Sequence, residues 1–144
     1  MTWSIIARDE LTGRFGIAVA TRFFAVGARV PYVAAGFGAI ATQALVNPYY
    51  GIDGLKLLRD GRSPREIIDI LIAGDDGQAS RQLHVMDAAG RIASHTGQDC
   101  VRAGADIAKA TAFPLPATCW RARKCWTTLR ALTLNTRHCR SRNA

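Results

Sequence analysis

Residues 38–51 read GAIATQALVNPYYG. The first half is a run of small and β-branched apolar residues suited to a buried strand. The second half opens with Asn47 and Pro48, a capping residue followed by a proline at the first helical position. A strand therefore hands over to a helix near residue 47. Upstream, residues 3–8 and 15–21 are apolar runs separated by DELTG, whose Asp9 and Gly13 supply turn chemistry, so they predict a β-hairpin. RVPYVAA at residues 29–35 and GAIATQALV at residues 38–46 form a second strand pair with Gly and Pro punctuation. Downstream, Ile52, Leu55, Leu57 and Leu58 supply the apolar stripe of a helix that ends near Gly61. Ser63, Pro64, Arg65 and Glu66 then form a capping box for a second helix, with Ile67, Ile68, Leu71 and Ile72 as its buried face and Gly74 as its stop. So short a link predicts antiparallel helix packing. Finally, RQLHVMD and RIASHT flank AAG as another hairpin, with Leu83 and Val85 on one face. Strands, a helix pair and more strands make an α+β fold in which helices cover sheets.

The chain has 144 residues, 49% hydrophobic and 21% charged, which suits one domain with one core. Its net charge of +8 and pI near 10.0 suggest a polyanion partner until the charge is mapped. Residues 1–100 carry ten Lys/Arg and ten Asp/Glu, whereas residues 101–144 carry nine Lys/Arg and only Asp106. The excess is confined to the tail, so no nucleic-acid partner is expected of the domain itself. Cys119, Cys125 and Cys139 also lie there, with only Cys100 before them, which is not a disulfide framework. Arg8, Asp9 and Glu10 interrupt any secretory or membrane-spanning segment near the start, so a cytoplasmic setting is expected.

Three other patterns carry little chemistry. GFGAIA at residues 36–41 fits a dinucleotide fingerprint in letters, but Pro48 cuts short any following helix and no βαβ unit surrounds it. His84, His95 and His138 share no ligand spacing, so no metal site is expected, and His84 reads as a partly buried or surface strand residue. Asp75 and Asp76 beside Gly77 read as a turn after a helix rather than a cation loop. No cofactor is expected.

The start MTWSI, the stretch GIAVATRFFAVG, the block GAIATQALVNPYYG and the later D-x-x-G-R-I-A-x-x-T-G hairpin together resemble the bacterial family called domain of unknown function 1028. The resemblance covers residues 1–109, and that family is similar in fold to the Ntn hydrolases. It implies a four-layer αββα sandwich whose first strand presents an N-terminal nucleophile. Thr2 matches that role, because an initiator Met is readily removed before a small residue. Thr2 would then hold both a hydroxyl and a free α-amine, whose ordinary pKa of ~7.7–8.0 lets it accept the hydroxyl proton. The competing role for Thr2 is simply the first residue of a strand.

Neighbours expected from the same blocks are Arg22, to orient a carboxylate or oxyanion, and Thr42, Gln43 and Asn47, to donate to a tetrahedral intermediate. A surface arginine and a helix cap are the competing roles of Arg22 and Asn47. The Asp and Lys that support Thr in proteasome subunits have no counterpart, since Ala20 and Thr21 stand where the Asp would fall. The expected activity is hydrolysis of an amide or related C–N bond in an unknown small-molecule substrate. The alternatives are a non-catalytic binding or structural module of the same fold, and nucleic-acid binding through the basic tail. Relatives with exposed sheets often pair, which makes a homo-oligomer an expectation.

Residues 110–126, ATAFPLPATCWRARKCW, do not resemble the family's continuation, DGFSVAGNMLAGPEVLD. Reading the permitted codons of this tail from the third base of each allows that continuation in register. The expectation is that residues 1–109 are the N-terminal part of the sandwich and residues 110–144 a poorly structured, out-of-frame tail. That would leave the sandwich incomplete and the chain inactive; sequencing the gene near codon 110 tests it.

Overall fold

A computed structural model describes residues 2–100, 105–109 and 116–120. Strands β1 (Thr2–Arg8) and β2 (Phe15–Thr21) form the first hairpin, paired from Thr2↔Thr21 to Arg8↔Phe15. Its turn is held by Asp9, whose carboxylate accepts from the Leu11 amide at 2.9 Å and the Thr12 hydroxyl at 2.8 Å, while Gly13 takes φ +69°. Strands β3 (Pro31–Ala34) and β4 (Gly38–Ala44) follow, then helices α1 (Pro48–Arg59) and α2 (Pro64–Ala73) and strands β5 (Arg81–Asp87), β6 (Ile92–Thr96), β7 (Ala105–Lys109) and β8 (Pro116–Trp120). Both predicted helix starts are realised. Asn47 Oδ1 accepts from the Tyr49 amide at 3.1 Å, and Ser63 and Glu66 close a reciprocal capping box.

The strands form two antiparallel sheets, ordered β2-β1-β8-β7 and β3-β4-β5-β6. One face of β4 and β5 carries Ile40, Leu83 and Val85, which pack with Tyr50 and Leu58 of α1 and Ile67 and Ile68 of α2. The alternate residues Ala39, Ala41 and Met86 pack with Ile6 of β1, Val30 and the inner side chains of β2. The described residues thus stack as a helix layer, a sheet and a second sheet, an α+β arrangement. Of the segment 110–144, Pro116–Trp120 is described as a strand beside β1, and the rest of that expectation lies outside the described residues.

Helix α1 departs from its predicted stripe. Ile52 is exposed, and the buried positions are Tyr50, Gly51, Gly54 and Leu58. A Cβ at Gly51 would collide with the Tyr32 ring, and one at Gly54 with Ile40 Cδ1. These two glycines, three residues apart on one face, let the helix lie directly on β3 and β4, at the expense of helix propensity. Counting only large apolar residues misses a face built by close approach.

Candidate functional site

Because side chains alternate along a strand, Thr2, Ser4 and Ile6 point from β1 toward the helix-covered sheet, and Thr21 does so from the paired position on β2. The Thr2 and Thr21 hydroxyl oxygens are 2.9 Å apart, and Thr21 Oγ1 accepts from the Phe23 amide at 3.3 Å. Beside them lies a cleft of about 160 Å³ lined by Thr2, Gln43, Arg29 and the apolar residues 23, 24, 26, 30 and 44–46. Thr2 and Gln43, both expected from sequence, therefore meet at one cavity.

Behind the cleft runs a buried polar chain between the two sheets. Ser4 Oγ donates to Gln43 Oε1 at 2.9 Å and lies 2.9 Å from His84 Nε2. With the serine proton committed to Gln43, Nε2–H of a neutral His84 donates to Ser4. Gln43 Nε2 donates to Gln82 Oε1 at 3.1 Å, and Gln82 Nε2 reaches Thr96 Oγ1 at 3.5 Å. The chain fixes which end of the Gln43 amide faces which neighbour.

His84 is not the partly exposed residue expected from sequence. It is 3% exposed, and desolvation pushes its pKa down to about 4. Between that value and the unfolded value of ~6.5 the unfolded chain binds the extra proton, so stability rises with pH across this window. The contribution of neutral His84 is complete above pH 6.5 and lost as pH falls through about 4. Full protonation corresponds to roughly 3 kcal/mol, at ~1.4 kcal/mol per pH unit. Urea unfolding at pH 7 and pH 4.5 is expected to show a marked loss at the lower pH that shrinks in His84→Gln. An unchanged pH dependence in that variant would count against a neutral buried imidazole.

The remaining expected neighbours are placed elsewhere. Arg22 is exposed at the end of β2 and is not among the cleft-lining residues, where Arg29 supplies the guanidinium instead. Thr42 lies on the opposite face of β4 from Gln43, buried toward the helices. Its Oγ1 has no hydrogen-bond partner among the described residues. Asn47 caps α1 with Oδ1 and donates through Nδ2 to Asp75 Oδ2 at 3.0 Å. Its cap role accounts for it.

Asp75 is more than a turn residue. Its carboxylate also accepts from Arg81 Nε at 2.7 Å, Arg81 Nη2 at 3.3 Å and the Gly77 amide at 2.9 Å, and Arg81 Nη1 donates to the Leu45 carbonyl at 2.6 Å. Chiefly the Arg81 hydrogen bond holds Asp75 well below the usual carboxylate range. Burial, reinforced by the nearby Asp75 charge, pushes the Tyr50 hydroxyl up to about 12. This cluster grips the segment after Ala44, a residue with φ +69°, where a non-glycine side chain is strained. Residues 44–46 form one wall of the cleft, so the cluster shapes it. Arg81, Ser4 and Arg29 belong to no local pattern and drew no reading from sequence, and Asp75 was legible only as part of its turn. The only available signal was Asp75 paired with an Arg six residues later.

Among the described residues no group of three or more His, Cys, Asp and Glu side chains could hold a metal ion, and no helix is long and apolar enough to cross a membrane. His138 lies outside the described residues.

Comparison with curated proteins gives no match. Among solved structures, the chain is similar to the crystal structure of a Silicibacter pomeroyi protein assigned to the family DUF1028, with 36% identity and a TM-score of 0.69. The similarity covers 72% of this chain and 46% of that one, so the chain spans less than half the length of its relative. A family of unknown function, DUF1028, matches residues 2–114. With that match over most of its length, and with the hairpin and the β4-to-α1 block that carry it in place, the chain belongs to the DUF1028 family.

Proposed function

We propose that the cleft at Thr2 hydrolyses amide or related C–N bonds, with Thr2 as an N-terminal nucleophile in an Ntn-hydrolase-like sandwich. The observation that carries this reading is that Thr2 and Gln43 both line one cleft. Once Met1 is removed, Thr2 Oγ1 attacks the substrate carbonyl carbon while its proton passes to the Thr2 α-amine. Gln43 Nε2 gives one proton to Gln82 and keeps a second, which is assigned to the oxyanion of the tetrahedral intermediate. Collapse breaks the C–N bond, the amine leaves with the proton held by Thr2, and water hydrolyses the acyl ester. A second reading, that residues 110–144 are translated out of frame, predicts instead an incomplete sandwich and an inactive chain. Its support is the end of the family match at residue 114, and its test is the gene sequence near codon 110.

Intact-mass measurement of the purified protein is expected to show Thr2 as the first residue. Amide hydrolysis is expected to rise as pH climbs through ~8, because the attacking residue needs its amine unprotonated. Retained Met1, or no hydrolysis of small amides at any pH, would defeat the reading. Ligand binding without turnover would favour a non-catalytic binding module instead.

A further inference from the structure

We infer that the Thr2 cleft selects an N-acyl amino acid: a short aliphatic acyl group joined through an amide to an amine that carries a carboxylate. This rests on the amide-hydrolase reading of the cleft and adds its substrate class. Three observations converge on it. Arg29 is the one charged residue among the described residues lining the cleft. It has no ion pair or hydrogen bond to another side chain among the described residues. Arg81, by contrast, is bound to Asp75. An arginine lining a cleft without a carboxylate of its own suits a carboxylate brought by a ligand, which its guanidinium can bind through two parallel N–H donors.

The apolar part of the lining sets the other half of the ligand. Val26, Val30 and Val46 are aliphatic walls, and the volume of about 160 Å³ falls below the ~300–1,000 Å³ typical of sites for drug-sized ligands. A branched acyl group of a few carbons suits that space, whereas a long chain or large ring system does not. Phe23 and Phe24 follow Thr21 at the cleft and are 70% and 92% exposed, leaving apolar surface at its margin for the acyl group to cover on binding. Thr2 and Gln43 bring the polar groups that an amide requires.

The test is binding to a Thr2→Ala protein, which lacks the proposed nucleophile and so holds its ligand unchanged. N-isobutyrylglycine and its uncharged analogue N-isobutyrylglycinamide differ only in the carboxylate. NMR titration is expected to give at least ~10-fold tighter binding of the acid, a preference that weakens with added salt and is removed by a further Arg29→Gln exchange. Arg29→Lys is expected to keep part of the preference, since charge survives without the planar fork. Arg29 is exposed, so folding of these variants is checked simply by their thermal unfolding. Equal affinity for the two compounds, binding of neither, or a preference unaffected by Arg29→Gln overturns the inference. Failure of the hydrolase reading looks different: selective binding of the acid by Thr2→Ala, with no turnover by the unaltered protein, leaves Arg29's role standing. Hydrolysis of both compounds without preference does the reverse.

Discussion

Thr2→Ala is expected to lower amide hydrolysis by at least ~10³-fold while leaving the fold intact, because it removes the attacking oxygen but keeps the strand. The structural cost is confined to the Thr2 to Thr21 hydroxyl contact, a half-buried hydrogen bond worth about 1 kcal/mol. A large loss of turnover with a small change in unfolding free energy therefore separates chemistry from stability. Thr2→Ser keeps an oxygen and an amine at the same place, so it should retain measurable turnover. It lacks the γ-methyl group that restricts the rotamer of the hydroxyl, and a reduced rate is expected. Equal rates for Thr2→Ala and the unaltered protein, on whatever small amide is turned over, would remove Thr2 from the mechanism.

Asp75→Ala is expected to cost about 3 kcal/mol of stability, because breaking one side of a largely buried ion pair strands the other charge. The Asp75 and Arg81 side chains are 12% and 16% exposed, and four donor contacts converge on the carboxylate. Its loss also frees the Asn47 amide and loosens Arg81, which holds the Leu45 carbonyl on the cleft wall. Asp75→Asn, which keeps one carbonyl acceptor, should fall between the two. Chemical denaturation reads the series, and a change under ~0.5 kcal/mol for Asp75→Ala, the scale of an ordinary surface exchange, would mean the cluster is ornamental to stability. The pH sign is also definite. A carboxyl held below its unfolded value of ~3.9 contributes fully above that pH and loses the contribution as the solution becomes more acidic. Acidification therefore removes stability first through His84, between pH 6.5 and about 4, and through Asp75 only below that.

Much of the fold was legible because its signals are local. Asp9 and Gly13 build a tight turn between two apolar runs, Asn47 with Pro48 starts one helix, and Ser63 with Glu66 starts the other. Each of these features needs only a few neighbouring residues to specify it. The face of α1 was not legible, since Gly51 and Gly54 read as weak helix residues until Tyr32 and Ile40 are placed against them. His84 was misread for the same reason: nothing within RQLHVMD says which side of the strand meets another sheet, or that Ser4 waits there.

The candidate site divides along the same line. Thr2 and Gln43 were expected neighbours and line one cleft, whereas Thr42, one residue from Gln43, is turned to the opposite side of the strand. Arg29 rather than Arg22 is among the cleft-lining residues, placed there after the 3₁₀ turn at Val26–Ala28 and before β3. By itself the sequence determined the α+β pattern of hairpins around a capped helix pair, since turns, caps and alternation are short-range consequences of residue type. Only the tertiary structure decided which polar residues share a cavity, joined Asp75 to Arg81 and Asn47, and buried His84 against Ser4. Those relations are set by which sheet face meets which, over separations of up to eighty residues, where no local preference reaches.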